Sequence, residues 1–363
     1  MRLKLGINSI WFFYAMVKIG YMFLALLVYA RFTQLGDTHR YLSGETFGSD
    51  AWFYNPTHMM DFFAHGFSIF LGPTLANLPF VFLSLYGTYY AVERLQLNKK
   101  ELFYLLLLLS LPSFGVWTSI ASKEAVGVFF LGVILGFLFD YIKGNKKNYI
   151  LAGLAFYLCA IFKPQYLIGI FASFVFVFMC KSFSLKSRGQ SFIIFLFFVA
   201  SFIALFVFRH QINELSFVMP MHFSLLAEST RENTIWVYDF DVFWNAPYGM
   251  FIGFFGPTVG EAISRPAHLL VFIESSMIVI IFSYALIEMG YISIRTRQLN
   301  VFHTGVFVTA TLWILFVHYP FGVLNPGSAI RYRENFYAFL VILFYFWYID
   351  VKRRYEFLNF QKS

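Results

Sequence analysis

Apolar runs of roughly 20 residues recur along the whole chain, and a helix of that length spans the ~30 Å hydrocarbon layer of a bilayer. Ten such crossings can be placed, at about 10–30, 74–93, 102–117, 125–142, 149–162, 165–180, 191–208, 267–290, 301–319 and 336–349. Backbone groups in hydrocarbon must be satisfied within their own segment, so the fold expected is an all-α polytopic membrane bundle. Composition agrees. Of 363 residues, 59% are hydrophobic and only 13% charged, with a mean hydropathy of +0.67. A soluble domain of this size cannot hide that much apolar surface. No repeat, low-complexity tract or large polar insert interrupts the pattern, which predicts one integral domain over 1–363.

The net charge of +8 reads as topology rather than as a polyanion partner, and nucleic acid is not expected. Segments on one side of the ten crossings carry 17 of the 27 basic residues and 6 of the 19 acids. The other side carries 9 basic and 13 acidic residues, and Lys18 lies within the first run. The positive-inside rule puts the basic side, with both termini, in the cytoplasm. The start MRLKLGINS followed by ~22 apolar residues is read as a retained first helix, since it is too long for a cleaved signal. Cys159 and Cys180 fall inside apolar runs, so no disulfide framework is implied.

Polar chemistry gathers on the opposite, outer side. The stretch 31–61, RFTQLGDTHRYLSGETFGSDAWFYNPTHMMD, holds Asp37, His39, Arg40, Glu45, Asp50, His58 and Asp61 directly after the first run. Groups this dense beside a membrane helix belong in water or in a water-filled cavity. Residues 58–72 suit a short interfacial helix that Gly72-Pro73 breaks. The run 101–143 must turn on the outer side at PSFGVWTSIASKE, Pro112 to Glu124. The run 149–180 turns at Lys163-Pro164-Gln165, because proline ends a helix. The longest outer segment, Arg209 to Tyr248, mixes Glu214, Glu228, Arg231, Glu232, Asp239 and Asp241 with Trp236, Tyr238, Trp244 and Tyr248. Rings among carboxylates suit sugars, whose C–H faces stack while their hydroxyls need polar partners; the same rings also suit a cap on the bundle. Glu274 sits inside the eighth crossing, as a functional group or as a structural pair with a nearby arginine.

The loops 31–73, 112–124, 209–266 and 320–335 are expected to ring one outer vestibule, and with the Lys163 turn they supply cations at helix ends. These are Arg40, Lys123, Lys163, Arg265, Arg331 and Arg333. For any one of them, snorkelling to the interface is the plain alternative. Converging, they suit a phosphate or pyrophosphate, which arginine grips with two parallel hydrogen bonds. Asp37 is then the natural group to take a proton from an acceptor hydroxyl.

The segment GDTHRYL after the first helix resembles the Asp-containing loop of the GT-C class of membrane glycosyltransferases. PSFGVWTSIASKEAVGVFFLGVI, FKPQYL, SRPAHLLVFIESS and GSAIRYRENFYAFL resemble segments of Wzy-like O-antigen or capsule polymerases. The resemblance implies a GT-C-like fold in the bacterial inner membrane, with the active site facing the periplasm or outside. It implies a polyprenyl-phosphate- or diphosphate-linked saccharide donor, a saccharide acceptor and, as partners, other polysaccharide-assembly proteins. It also implies Asp37 as base and Arg331 and Arg333, with Lys123, Lys163 and Arg265, as the phosphate pocket, to which the convergence of outer-loop cations adds Arg40. His39, Glu124, Asp239, Asp241 and Glu274 would support them. A second carboxylate beside Asp37, seen in part of that class, is replaced here by His39 and Arg40. A divalent metal therefore stays open, completed by Asp50, Asp239 or Asp241 if folding brings them close. A lipid-linked oligosaccharide flippase or a single-sugar transferase is the alternative function.

Overall fold

The computed structural model describes residues 6–32, 34–222, 231–233 and 236–360. It is 82% helix, with no strand among the described residues. The chain divides into two compact units, one of Met1–Pro164 with Glu334–Leu343, the other of Gln165–Arg333 with Phe344–Ser363.

The first unit begins with α1 (Ile7–Leu27), α2 (Thr38–Ser43), α3 (Pro56–Leu75) and α4 (Leu78–Glu93). It continues with α5 (Lys99–Leu108), α6 (Pro112–Trp117), α7 (Lys123–Lys143) and α8 (Tyr149–Phe162). Its centre is α7, almost wholly buried, started by a Ser122 side-chain cap and stopped by the left-handed Gly144. Helices α4 and α7 pack backbone to backbone: a Cβ on Gly132 would lie 2.2 Å from the Gly87 carbonyl oxygen. Helix α1 packs against α4, α5 and α6, with Ala25 meeting Val116, Trp117 and Ile120.

The second unit holds α9 (Leu167–Ser182), α10 (Ser187–Val207), α11 (Arg209–His222), α12 (Asp241–Trp244) and α13 (Ala246–Phe255). It is completed by α14 (Val259–Ser264), α15 (Pro266–Thr296), α16 (Val301–Gly322) and the long α17 (Pro326–Phe360), whose middle belongs to the first unit. Helix α16 is the hub, packing on α9, α10 and α13. Helix α10 has no fully buried residue: one side packs on α9 and α16, where Trp313 donates to Ser201, and the rest of its apolar surface is exposed.

Seven described helices are long and apolar enough to cross a bilayer: 7–31, 123–143, 164–182, 187–207, 268–296, 301–322 and 326–358. The count reaches eight if α3 and α4, bent by 98° at their junction, form one span. Hydropathy alone places ten, and the three remaining candidates are short for physical reasons. Helix α4 has 16 residues and α8 has 14, about 24 and 21 Å at 1.5 Å per residue. Helix α5 stops after ten, before Pro112. The breaks at Gly72-Pro73 and Lys163-Pro164 stand where the sequence puts them: Gly72 has φ 74°, and Lys163 ends α8 with φ −148° and ψ 61°. The Pro112–Glu124 turn is unlike an exposed loop. It contains α6, and Thr118, Ser119, Ile120 and Ala121 are all fully buried.

Candidate functional site

In the first unit, Asp37 and Arg40 of the opening polar stretch meet Lys123 around Tyr41. Asp37 immediately precedes α2, and its backbone carbonyl accepts the Tyr41 N–H at 2.9 Å, closing the first turn. One turn on, the Tyr41 hydroxyl reaches back and donates to Asp37 Oδ2 at 3.2 Å. Tyr41 itself is buried, while Asp37 is half-buried. Two cations lie over the same ring: Arg40 Cζ and Lys123 Nζ are each 5.9 Å from its centroid. Cations are drawn to that position by the negative face of the ring. Lys123 also donates to Thr57 Oγ1 at 2.8 Å. His39, by contrast, points to solvent.

Arg40 is shared between two carboxylates, Glu45 at 3.3 Å and Asp61 at 3.5 Å. Asp61 is the departure from a solvated stretch: it is 0% exposed and accepts from Thr46 Oγ1 at 2.5 Å. A carboxylate removed from water this completely needs its arginine. The α2–α3 connection closes onto it because Gly44, left-handed at φ 71°, ends α2 where any Cβ would strike the His65 ring at 2.4 Å.

The turn before Lys123 is tied down from four directions. Thr38 of α2 donates to the Ala121 carbonyl at 3.1 Å, and Asn77 accepts the Ala121 N–H at 2.7 Å. Ser84 of α4 and Lys18 of α1 both donate to the Thr118 carbonyl, at 2.7 and 2.8 Å. Lys18 also donates to Thr118 Oγ1 and lies 5.1 Å from the Phe114 ring. It is 1% exposed, and the charge acting on it is the buried carboxylate of Glu334. In sequence, Lys18 is only a charge inside an apolar run. That rarity is the signal that could have found it, since ionisable groups inside a membrane span are seldom idle. Glu124 is buried in the first turn of α7, where the helix dipole favours a carboxylate. Lys163, half-buried at the end of α8, is the third of the six candidate cations to fall in this unit.

The second unit holds the other three cations, in unlike settings. Arg265 is exposed at the end of α14, and Arg331 lies over the ring of its neighbour Tyr332 at 5.5 Å. Arg333 is 1% exposed. Its guanidinium donates to Glu274 at 2.8 Å, to Ser275 Oγ at 2.8 Å and to the Phe254 carbonyl at 3.0 Å. Glu274 is thus in a buried pair with an arginine. Asp239 accepts from Asn213 at 3.1 Å, and Asp241 accepts the N–H groups of Val237 and Tyr238. Both acids therefore shape the turn before α12. Trp236 is buried on Tyr319, whereas Tyr238, Trp244 and Tyr248 expose their rings. Glu228 lies outside the described residues.

Glu261 was not singled out from sequence. Arg231 grips it with two hydrogen bonds, Nε to Oε1 and Nη2 to Oε2 at 2.7 Å, and spends Nη1 on the Val323 carbonyl at 2.8 Å. Glu261 also closes a capping box with Thr258 at the start of α14. Burial pushes its carboxyl up, but Arg231 and the Thr258 N–H outweigh that and hold it at about 2. The signal was local, T-V-G-E ahead of a helix.

Among the described residues no three His, Cys, Asp or Glu side chains gather as a metal-binding group. No protein-family model, curated protein or solved structure matches the chain.

Proposed function

We propose that the protein is a membrane glycosyltransferase of GT-C-like architecture. It uses a polyprenyl-phosphate- or diphosphate-linked saccharide donor on the periplasmic or outer face of the bacterial inner membrane and polymerises repeat units of an O-antigen or capsule. The observation that carries this reading is the grouping of Asp37, Arg40 and Lys123 on Tyr41, at the end of the first span. Asp37 takes the proton of the acceptor hydroxyl as that oxygen bonds to the anomeric carbon. The bond from anomeric carbon to phosphate oxygen breaks, and the lipid (di)phosphate leaves with the electron pair. Arg40 and Lys123 stabilise the charge growing on it. Tyr41 fixes the carboxylate. The exposed rings of Tyr238, Trp244 and Tyr248 suit saccharide faces.

The test is a gel of surface polysaccharide from cells lacking the protein, complemented with wild type or Asp37→Asn. Both the null and the variant are expected to collapse the ladder to a single repeat unit while the variant still inserts. A normal ladder from Asp37→Asn overturns the reading. Loss of all polymer, with the lipid-linked unit trapped on the cytoplasmic side, would make the protein a flippase.

A further inference from the structure

Four spans of the second unit end around one cavity of about 470 Å³. Its wall takes in Ser187 at the start of α10, Thr296 at the end of α15, Val301 at the start of α16 and Leu358 near the end of α17. A cavity bounded by the ends of spans lies at headgroup depth, not in hydrocarbon. Three arginines line it, Arg188, Arg297 and Arg354, and among the described residues no Asp or Glu does. One of the three, Arg354, pairs with the carboxylate of Asp350 at 2.7 Å. Asp350 also accepts from Asn300 and faces His303 Nδ1 at 3.5 Å, and its one charge is set against the three arginines of the lining. The deep side is apolar, formed by the buried Ile292 and Val351. Arg297 holds a left-handed backbone, φ 54°, at the end of α15. For a residue with a Cβ that conformation is unfavourable by roughly 1–2 kcal/mol.

We propose that this cavity binds the phosphate of an anionic phospholipid. A lone surface arginine would be explained by snorkelling. Three in one concavity, with an apolar wall below them, match a ligand that is anionic at one end and apolar at the other. Guanidinium groups suit a phosphodiester because they present paired donors to its oxygens. The charge pattern along the chain puts this end on the cytoplasmic side, where anionic lipids attract basic residues. The inference stands apart from the proposed transferase site and shares no residue with it.

The test uses full-length protein in detergent, given dioleoyl phosphatidylglycerol, dioleoyl phosphatidylcholine or inorganic phosphate, with bound lipid read by native mass spectrometry. Phosphatidylglycerol is expected to be retained about tenfold over phosphatidylcholine, with retention falling as salt is raised. Arg188→Glu, an exposed position in the first turn of α10, should reduce retention roughly tenfold, and Arg188→Lys should keep most of it. If Arg188→Glu misfolds, Arg297→Gly carries the same expectation, because glycine adopts that backbone freely. Equal retention of the two lipids, or no change in the variants, overturns the proposal. Displacement of phosphatidylglycerol by an equal concentration of inorganic phosphate also overturns it, and would assign the cavity to a soluble phosphate.

Discussion

The Tyr41 hydroxyl donates to the Asp37 carboxylate across one turn of α2, at 3.2 Å, while Arg40 and Lys123 lie over the same tyrosine ring. One residue thus holds the Asp37 carboxylate and carries two cations over its ring. The proposed chemistry separates the two roles. Asp37→Asn should lower transfer by about 10²–10⁴-fold, the usual worth of a positioned base. Tyr41→Phe keeps the carboxylate and the ring but loses one hydrogen bond, roughly 1 kcal/mol, so about a fivefold loss is expected. Transfer from a lipid-linked donor by purified protein measures both. Equal losses in the two variants would remove Asp37 from the role of base.

Lys123 and Arg40 flank one ring but carry different structural duties. Lys123 holds Thr57 from the start of α7, so Lys123→Ala should weaken transfer by about tenfold to a hundredfold and also lose that hydrogen bond, roughly 1 kcal/mol of stability. Arg40→Ala also strips the buried Asp61 of its ion pair, and should destabilise the protein by roughly 1–3 kcal/mol. Thermal unfolding in detergent alongside the transfer assay distinguishes them.

Breaks and spans were legible in the sequence because their causes are local. Gly72-Pro73 and Lys163-Pro164 stop helices by backbone chemistry, and seven apolar runs are long enough for their composition to decide. At 102–117, where hydropathy places one crossing, the chain forms two short helices, because a sum over side chains does not register that Pro112 cannot continue α5. The site was legible in part. Asp37, Arg40 and Lys123 stood out as charges beside spans, but the residue joining them, Tyr41, is one aromatic in a chain that is 22% aromatic. Pairings between distant residues were not legible. Lys18 meets Thr118 at a separation of 100 residues and Arg333 meets Glu274 at 59, and no local pattern encodes either.

Arg333 was expected to hold phosphate, and its donors face Glu274, Ser275 and Phe254. Removing one partner of a buried pair leaves the other charged and alone, which is unfavourable by about 3–5 kcal/mol. Arg333→Met should therefore collapse folded yield, and Glu274→Met with Arg333→Met should restore much of it. Fluorescence-detected size exclusion reads the yield. Recovery of fold together with activity would exclude Arg333 from contact with the donor.

The Arg231–Glu261 pair gives the second unit an acid limit. Glu261 titrates at about 2 in the folded chain and near its ordinary 4.5 when unfolded. The unfolded chain therefore takes up the proton first as pH falls. Stability from the pair is complete above pH 4.5 and declines as pH drops toward 2. Unfolding midpoints measured from pH 6 to 2 should fall steeply through that window for wild type. For Glu261→Gln the midpoint should be lower at pH 6 and the fall shallower.

Gly132 is the position where the contact of α4 with α7 admits no side chain. A Cβ there would sit 2.2 Å from the Gly87 carbonyl oxygen and 2.5 Å from its carbon, and neither is a side chain that can swing away. The converse holds at Gly87, where a Cβ would meet the Phe129 Cα at 2.5 Å. Apolar side chains gain little by leaving lipid for one another, so such helices associate by close backbone packing, and small residues permit it. Gly132→Ala must push the helices apart along the largely buried α7, and an overpacked core typically loses about 1–3 kcal/mol. At Gly153, on α8, a methyl group would meet nothing within 4 Å, so Gly153→Ala should leave the midpoint unchanged or raised. Paired unfolding curves in one detergent test this, and equal midpoints for the two variants would show that the α4–α7 contact is looser than its geometry implies.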